Sequence, residues 1–173
     1  IKKLLILLWP FDIDENIIKA SRITYIEGYI LDYDNGINIA KKASQIAHQY
    51  NRQVAYTLPD ISCIKGKEDI LLDFIKNNVD ILFANENEIQ ALFKGEDFYK
   101  CLDLIKPHVE IAAITRSEKG SAIVNGRTKT FVEAEVVENV IDTTGAGDLY
   151  AAGFLYGMTQ GRSLGTCAII GSI

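Results

Sequence analysis

Short apolar runs rich in β-branched residues alternate along the chain with longer stretches of helical periodicity, and this alternation restricts the possible folds most strongly. Several runs, such as Ile81–Ala84, are almost continuously apolar, as strands covered on both faces are. Strands of this kind, separated by helices, are joined as β-α-β crossovers in a parallel sheet. The sequence therefore predicts an α/β fold, a three-layer α/β/α sandwich with a mostly parallel sheet. Six strands are predicted: Ile23–Ile30, Gln53–Leu58, Val79–Ala84, Glu110–Thr115, Ser121–Asn125 and Thr128–Glu133.

The helical stretches show one apolar face each. In the clearest, Ile39, Ala43, Ile46 and Tyr50 recur at steps of four, three and four and make one apolar stripe. An Asn-Gly pair at Asn125 predicts a two-residue hairpin, so the last two strands should be antiparallel. Helices are predicted over Gly36–Tyr50, Glu68–Asn77, Glu86–Phe93 and Gly145–Thr159.

No linker or repeat divides the 173 residues, so we predict one domain over the whole chain. The sequence begins and ends inside apolar patterns, from which we expect the domain to be partial at both ends. The opening run Leu4–Trp9 is too short for a signal peptide and is interpreted as a buried strand or helix turn.

Charge and cysteine content restrict the possible partners. The chain has 18 Lys and Arg against 23 Asp and Glu, a formal net charge of −5, and no basic cluster, which argues against nucleic acid. No apolar run approaches the roughly 20 residues that a membrane span needs, so we expect no membrane partner. Cys63, Cys101 and Cys167 show neither metal-site nor disulfide spacing, which indicates a reducing cytoplasm.

The most informative segment, Asp142–Asp148, reads DTTGAGD and directly precedes a helical pattern. The first-turn N–H groups of Gly145, Ala146 and Gly147 lack intrahelical acceptors, so they can converge on an anion with the helix dipole behind them. Asp148 is placed to accept a proton from a hydroxyl that attacks a phosphoryl group. The segment thus predicts a phosphate cradle with a general base beside it.

Other interpretations of this segment fit the sequence less well. Glycines and a first-turn Asp also serve helix capping, but six specified residues coincide by chance on the order of once in 10⁷ positions. A Rossmann fingerprint would need Gly where Tyr150 stands, and a Walker A loop appears nowhere in the sequence.

DTTGAGD followed by LYAAGFL resembles the second signature of the PfkB/ribokinase family of carbohydrate kinases, which includes adenosine-kinase-like members. Asn85–Glu88 (NENE) resembles the family's N-x-x-E motif, and Thr115–Gly120 (TRSEKG) resembles its T-x-G-x-x-G nucleotide loop. Tyr25–Tyr29 (YIEGY) is similar to a string of adenosine-kinase-like sugar kinases. The resemblance runs from about Ile23 to the end of the chain.

The resemblance implies an ATP-dependent kinase that uses Mg²⁺ to transfer the γ-phosphoryl group to a hydroxyl of a small-molecule sugar or nucleoside. It makes Asp148 the catalytic base and the three residues before it the anion hole. It further implies that Glu88, with Asn85, organises Mg²⁺ and phosphate through water. By the same resemblance, the ATP phosphates and ribose are lined by Thr115, Ser117 and Gly120, and a monovalent cation such as K⁺ is held by Asp142 and Thr144. All of these motifs are expected to meet at the carboxyl edge of the sheet.

Two motifs also fit structural interpretations. Asn85 and Glu88 have the spacing of a helix capping box. Ser117 stands where the family pattern has Gly, and a serine there could approach ATP and donate a hydrogen bond if its φ is negative.

A non-catalytic nucleotide-binding module, or pseudo-kinase, is the alternative function, and a structural α/β domain is a third. The intact Asp148 argues against the pseudo-kinase. The resemblance places the acceptor pocket and a β-sheet lid in an N-terminal half outside this chain, so the particular acceptor and the oligomeric state stay open. For the same reason, we expect little turnover from the 173 residues alone.

Overall fold

A computed structural model describes residues 12–135 and 142–172 of the chain, and the predicted element at residues 4–9 lies outside them. The strands are β1 (Ile23–Glu27), β2 (Gln53–Thr57), β3 (Ile81–Asn85), β4 (Ile111–Thr115), β5 (Ser121–Asn125) and β6 (Thr128–Val132). The helices are α1 (Glu15–Ala20), α2 (Gly36–Gln49), α3 (Ile61–Ile64), α4 (Glu68–Asn78), α5 (Glu86–Leu92), α6 (Phe98–Ile105), α7 (Ala146–Thr159) and α8 (Leu164–Ser172). Two 3₁₀ turns, Gly28–Asp32 and Ser117–Lys119, follow β1 and β4.

The six strands lie in one sheet in the order β1-β2-β3-β4-β5-β6. The first four are parallel, and β5 and β6 are antiparallel to their neighbours. The predicted mostly parallel sheet and the hairpin at Asn125-Gly126 are therefore confirmed. The register pairs Asn85 with Thr115, so two of the predicted motifs begin side by side.

The two faces of the sheet are covered by different parts of the chain. Right-handed crossovers between parallel strands in sequential order place every connecting helix on the same face. Residues of α1 to α6 accordingly pack with Val54, Leu82 and Ala112 in one core cluster. The opposite face, which includes Phe83, is covered by α7 and α8. These layers confirm the three-layer α/β/α sandwich.

The structure corrects several predicted boundaries. The first strand ends at Glu27 rather than Ile30, because the chain turns there into a 3₁₀ turn. Glu27 and Gly28 interrupt the apolar run at this point, and a glycine inside a strand pattern marks a bend or a close backbone approach, so the signal for this change was present. Four helices were not predicted: α1, α3, α6 and α8. At six and four residues, α1 and α3 are too short to show a helical period. Helix α6 does carry an apolar stripe of Phe98, Cys101, Leu102 and Ile105, a signal that the sequence analysis did not use.

Cys63, Cys101 and Cys167 are free thiols. Among the residues that the structure describes, no helix has both the length and the apolar character that crossing a bilayer requires.

Helices α7 and α8 are in close backbone contact. A Cβ atom on Gly153 would lie 2.8 Å from both Gly171 Cα and Ile170 O, and one on Gly157 would lie 2.9 Å from Cys167 Sγ. Glycine at these two positions therefore sets the separation of the helices, and with it the position of α7 on the sheet.

Replacing Gly153 with alanine should lower the free energy of unfolding by about 1 to 3 kcal/mol, because the added methyl group forces the helices apart. Gly165→Ala is the matched control, since nothing lies within 4 Å of its would-be Cβ. That variant should be neutral or more stable by up to about 1 kcal/mol through helix propensity. Urea denaturation of both proteins measures the difference, and equal effects would contradict the packing argument.

Candidate active site

The direction of α7 places its N-terminus at the carboxyl edge of the sheet. Arg22, just before β1, donates from Nη1 to Thr159 O at the C-terminal end of α7, over 2.9 Å. Further along, the ring of Phe83 lies 6.5 Å from that of Tyr150 and 5.5 Å from that of Phe154. The helix therefore runs back along the strands, and its first turn lies near the end of β1.

The loop before α7 is held by its own side chains. Asp142 Oδ1 accepts hydrogen bonds from Thr144 N over 2.9 Å and from Thr144 Oγ1 over 2.8 Å. Gly145 is the N-cap with a φ of 79°, a left-handed conformation that glycine adopts without strain. The chain thereby enters the helix with its first amides exposed to solvent.

One amide of the predicted cradle has an acceptor. Ala146 N donates to Thr143 O over 3.0 Å. Among the described residues, the N–H groups of Gly145, Gly147 and Asp148 have no hydrogen-bond acceptor. The donors available to an anion are therefore these three, rather than the three amides predicted from the sequence.

Asp148 is exposed in the first turn of α7, within electrostatic range of β1. Burial, followed by the charge of Asp148, raises the pKa of Glu27, the last residue of β1. Burial also raises the pKa of Tyr25 to about 12, with the carboxylates of Glu27 and Asp148 adding to the shift. The end of β1 therefore lies close enough to Asp148 for their charges to interact.

Asn85 and Glu88 form a capping box at the start of α5. Asn85 Oδ1 accepts from Glu88 N over 2.8 Å, and Glu88 Oε2 accepts from Asn85 N over 2.8 Å. Asn85 Nδ2 also donates to Glu88 Oε1 over 2.6 Å. The structural interpretation of this motif is thus correct, and it leaves a carboxylate held at the sheet edge.

Burial raises the pKa of Glu88 to about 7, and the charges of Asp60 and Glu27 add to the effect. Asp60 follows β2, just as Glu27 ends β1 and Glu88 follows β3. Together with Asp148, these carboxylates form an acidic rim along the carboxyl edge. Among the described residues, no three His, Cys, Asp or Glu side chains are grouped closely enough to hold a metal ion directly.

The predicted nucleotide loop follows β4 beside this rim. Ser117 has a φ of 51°, so the condition of a negative φ is not met, and the left-handed conformation explains why a glycine suits this position. Gly120 has a φ of 78°, and a Cβ there would lie 1.9 Å from Val132 O. Gly120 is therefore required by the packing of the loop against β6.

A cleft of about 260 Å³ lies between the two motifs and is lined by residues from both, Asn85 to Asn87 and Thr115 to Lys119. Within it, Arg116 pairs with Glu86 through two contacts of 3.3 Å. A larger open cleft of about 510 Å³ between α2 and α4 shares no residue with any predicted motif.

The structure thus brings Asn85, Thr115 and the α7 start to one edge, as predicted. Four charged residues of this edge were given no role by the sequence analysis: Glu27, Asp60, Glu86 and Arg116. Their positions at or shortly after the ends of strands are the signal that could have identified all four, because parallel strands deliver their carboxyl ends to one place.

Comparison with known proteins identifies the class of protein that this fold and site define. A family model described as pfkB family carbohydrate kinase matches residues 7–172. An adenosine kinase from Sinorhizobium meliloti superposes with a TM-score of 0.93 at 42% identity, covering 96% of this chain and 51% of that structure. A cytidine kinase of Thermococcus kodakarensis is 32% identical over 107 residues, 61% of this chain and 38% of its own length.

A putative ribokinase II from E. coli, solved in complex with ATP and Mg²⁺, shares the fold with a TM-score of 0.83 at 21% identity, covering 95% of this chain and 54% of that structure. The chain belongs to the pfkB family of carbohydrate kinases, which confirms the resemblance seen in its motifs. It spans about half the length of the solved relatives named here.

The raised pKa of Glu88 predicts how stability depends on pH. Because the folded pKa, about 7, lies above the ordinary value of 4.5, the folded state holds this proton more tightly than the unfolded chain does. The free energy of unfolding should therefore fall as the pH rises from about 4.5 to about 7. Glu88→Gln should reduce this fall, because glutamine keeps a capping side chain without a titrating group.

Urea denaturation at half-unit pH steps measures the slope. Glu110→Gln, at the opposite edge of the sheet, is the control and should retain the slope of the unmodified protein. Glu27 contributes in the same direction, so some slope should persist in Glu88→Gln. Identical slopes in that variant and the unmodified protein would contradict the assignment.

Proposed function

We propose that this chain is the catalytic and nucleotide-binding part of a kinase that transfers the γ-phosphoryl group of ATP to a hydroxyl of a small-molecule sugar or nucleoside. The observation that carries the proposal is the placement of the exposed α7 start at the same sheet edge as the cleft between Asn85 and Thr115. The adenosine kinase and cytidine kinase among its relatives support this class of acceptor.

In this proposal, Asp148 takes the proton of the attacking hydroxyl. Its carboxylate is exposed and stands in the first turn of α7, beside the amides proposed to bind the phosphoryl group. A carboxylate next to the acceptor hydroxyl can act as a general base as the oxygen attacks in line.

The anion hole is proposed at the amides that precede and include this residue. Nothing lies within 4 Å of a would-be Cβ on Gly145 or Gly147, so an anion has open access to the cradle. We assign the donors to Gly145, Gly147 and Asp148, with Ala146 contributing through backbone shape because its own amide is engaged. Fixed donors of this kind stabilise charge that develops during transfer.

The acidic rim fits a hydrated Mg²⁺. Because Asn85 donates to both oxygens of Glu88, that carboxylate would hold the ion through water, as Mg²⁺ prefers. The bound ion would neutralise phosphate charge. Asp142 and Thr144 are proposed to hold a monovalent cation such as K⁺, because their paired oxygens keep further lone pairs.

ATP is proposed to lie along the loop after β4. Thr115 lines the cleft, and Ser117 and Gly120 shape the turn through their positive φ angles. The left-handed conformation of Ser117 sets the orientation of the peptide groups on either side of it. We therefore propose that Ser117 contacts ATP through its backbone.

The function is tested by incubating the full-length gene product with ATP, Mg²⁺ and a panel of sugars and nucleosides while ADP release is followed. Release that depends on one acceptor class would support the proposal. ATP binding without ADP release for any acceptor would instead support a non-catalytic nucleotide-binding module. The 173-residue chain, assayed in parallel, is expected to show little turnover.

Asp148→Asn should reduce kcat by about 10² to 10⁴, the usual contribution of a general base, because asparagine keeps the size and removes the proton acceptor. The dissociation constant of ATP should change little. Glu110→Gln, an exposed carboxylate at the opposite edge, is the matched control and should keep kcat. Near-full activity of Asp148→Asn in steady-state kinetics would show that another group is the base.

Gly147→Ala should weaken both phosphate binding and turnover. Its φ is not positive and nothing lies within 4 Å of the added Cβ, so the ligand-free fold should tolerate the change. Any loss of ATP affinity or turnover therefore arises when phosphate occupies the open space beside Gly147. Calorimetry with ATP, together with a thermal melt that shows an unchanged fold, measures this effect, and unaltered ATP affinity would place the cradle elsewhere.

A further inference from the structure

Arg116 is fixed on three sides at the entrance of the cleft. Its Nε and Nη2 donate to the two carboxylate oxygens of Glu86, each over 3.3 Å. Its guanidinium carbon lies 4.2 Å from the ring centre of Phe98 and 5.8 Å from that of Tyr99, both on α6. The side chains of Arg116 and Glu86 are only 13% and 23% exposed. A paired, stacked guanidinium of this kind holds one conformation.

The pair joins the two motifs that border the cleft. Glu86 is the first residue of α5, directly after Asn85 of the capping box. Arg116 is the first residue of the nucleotide loop beyond the end of β4, and its backbone makes two of that loop's internal hydrogen bonds. Arg116 N donates to Gly120 O over 2.7 Å, and Lys119 N donates to Arg116 O over 3.0 Å. A displacement of Arg116 would therefore move the loop relative to the capping box.

The loop needs such an anchor because its own geometry is unfavourable. Ser117, the next residue, has a φ of 51°, a conformation that a residue with a side chain adopts only when its surroundings impose it. The hydrogen bond from Gly120 N to Ser117 O, over 3.0 Å, closes the turn but does not attach it to α5. The attachment to α5 comes from Arg116 and, more weakly, from Lys119, whose Nζ lies 3.9 Å from Glu86 Oε2.

We propose that Arg116 and Glu86 are a positioning pair that holds the nucleotide loop in its ATP-binding conformation, and that Arg116 does not itself bind the phosphates. This inference rests on the proposed function, since it concerns the affinity of the same site for ATP. The alternative use of an arginine at a phosphate site is direct contact. Here Nε and Nη2 are both engaged with Glu86, and the ring of Phe98 stacks on the guanidinium with its centre 4.2 Å away.

The two uses of Arg116 predict opposite effects of Glu86→Gln. If Arg116 positions the loop, loss of the carboxylate frees the arginine, loosens the loop and raises the dissociation constant of ATP. If Arg116 contacts phosphate, loss of its competitor strengthens ATP binding. We expect weakening on the order of tenfold, the size that loss of charge-assisted hydrogen bonds produces. Glu110→Gln removes one exposed negative charge at the opposite edge of the sheet without touching the pair, and should change the constant less than about twofold.

Calorimetry with Mg-ATP on the full-length protein measures these constants. Arg116→Met should weaken binding as Glu86→Gln does, and the double variant should be no weaker than the poorer single one. Arg116→Lys should not restore affinity, because lysine keeps the charge but lacks the two-pronged contact and the stacking. Glu86→Asp keeps the negative charge at the helix start and so supplies a further folded variant. Its loss of ATP affinity should be intermediate. In each of these variants, kcat should change by a smaller factor than the dissociation constant of ATP.

Hydrogen exchange of the Lys119 and Gly120 amides in the ligand-free protein gives a second readout. Both should exchange faster in Glu86→Gln and Arg116→Met than in the unmodified protein and in Glu110→Gln. Stronger ATP binding by Glu86→Gln, unchanged binding, or weaker binding without faster exchange would each overturn the inference while leaving the proposed function intact. Failure of the unmodified protein to bind ATP would overturn both.

Discussion

Packing against Phe83 on the central strand β3 decides where the chemistry of this protein lies. The ring contacts both Tyr150 and Phe154, and these contacts hold α7 antiparallel to the strands. The helix start, with its unpaired amides, is thereby brought to the edge where four parallel strands also end. Gly153 supports this arrangement, since it lets α8 approach α7 closely on the same face of the sheet. A phosphate-binding helix start is useful only when it faces the other ligand-binding loops, and the core contact provides that alignment.

The acidic rim illustrates a conflict between stability and the proposed activity. Burying Glu88 beside Glu27 and Asp60 favours its neutral form, so ionisation near neutral pH lowers the stability of the fold. A cation bound at the edge would remove that repulsion. The same carboxylate completes the capping box of α5, which is why its position is fixed before any ligand arrives. The structural and the proposed catalytic interpretations of this motif are therefore compatible.

The nucleotide loop shows how a departure from the family pattern is accommodated. Serine replaces glycine at residue 117 and yet keeps the left-handed conformation, which carries a cost for any residue with a Cβ. The cost is offset by the contacts that flank it, the Arg116 pair with Glu86 on one side and the close packing of Gly120 against Val132 on the other. The backbone shape of the loop is thus maintained by tertiary contacts, where a glycine would have adopted it unaided.

The sequence by itself determined the parallel sheet, the hairpin at Asn125 and the motifs that end at one edge, because strand periodicity, turn chemistry and signature spacing are local properties. The family assignment was also contained in it. Only the tertiary structure decided that the Ala146 amide is engaged, that Ser117 is left-handed and that Arg116 is paired with Glu86. The Ala146 bond depends on the turn that the chain adopts before α7, and the pairing of Arg116 depends on groups far apart in the sequence. An amide's partner or a carboxylate's neighbours cannot be deduced from a residue's type. For the same reason, the sequence singled out Glu88 and Asp148, and only the fold placed Glu27 and Asp60 near them.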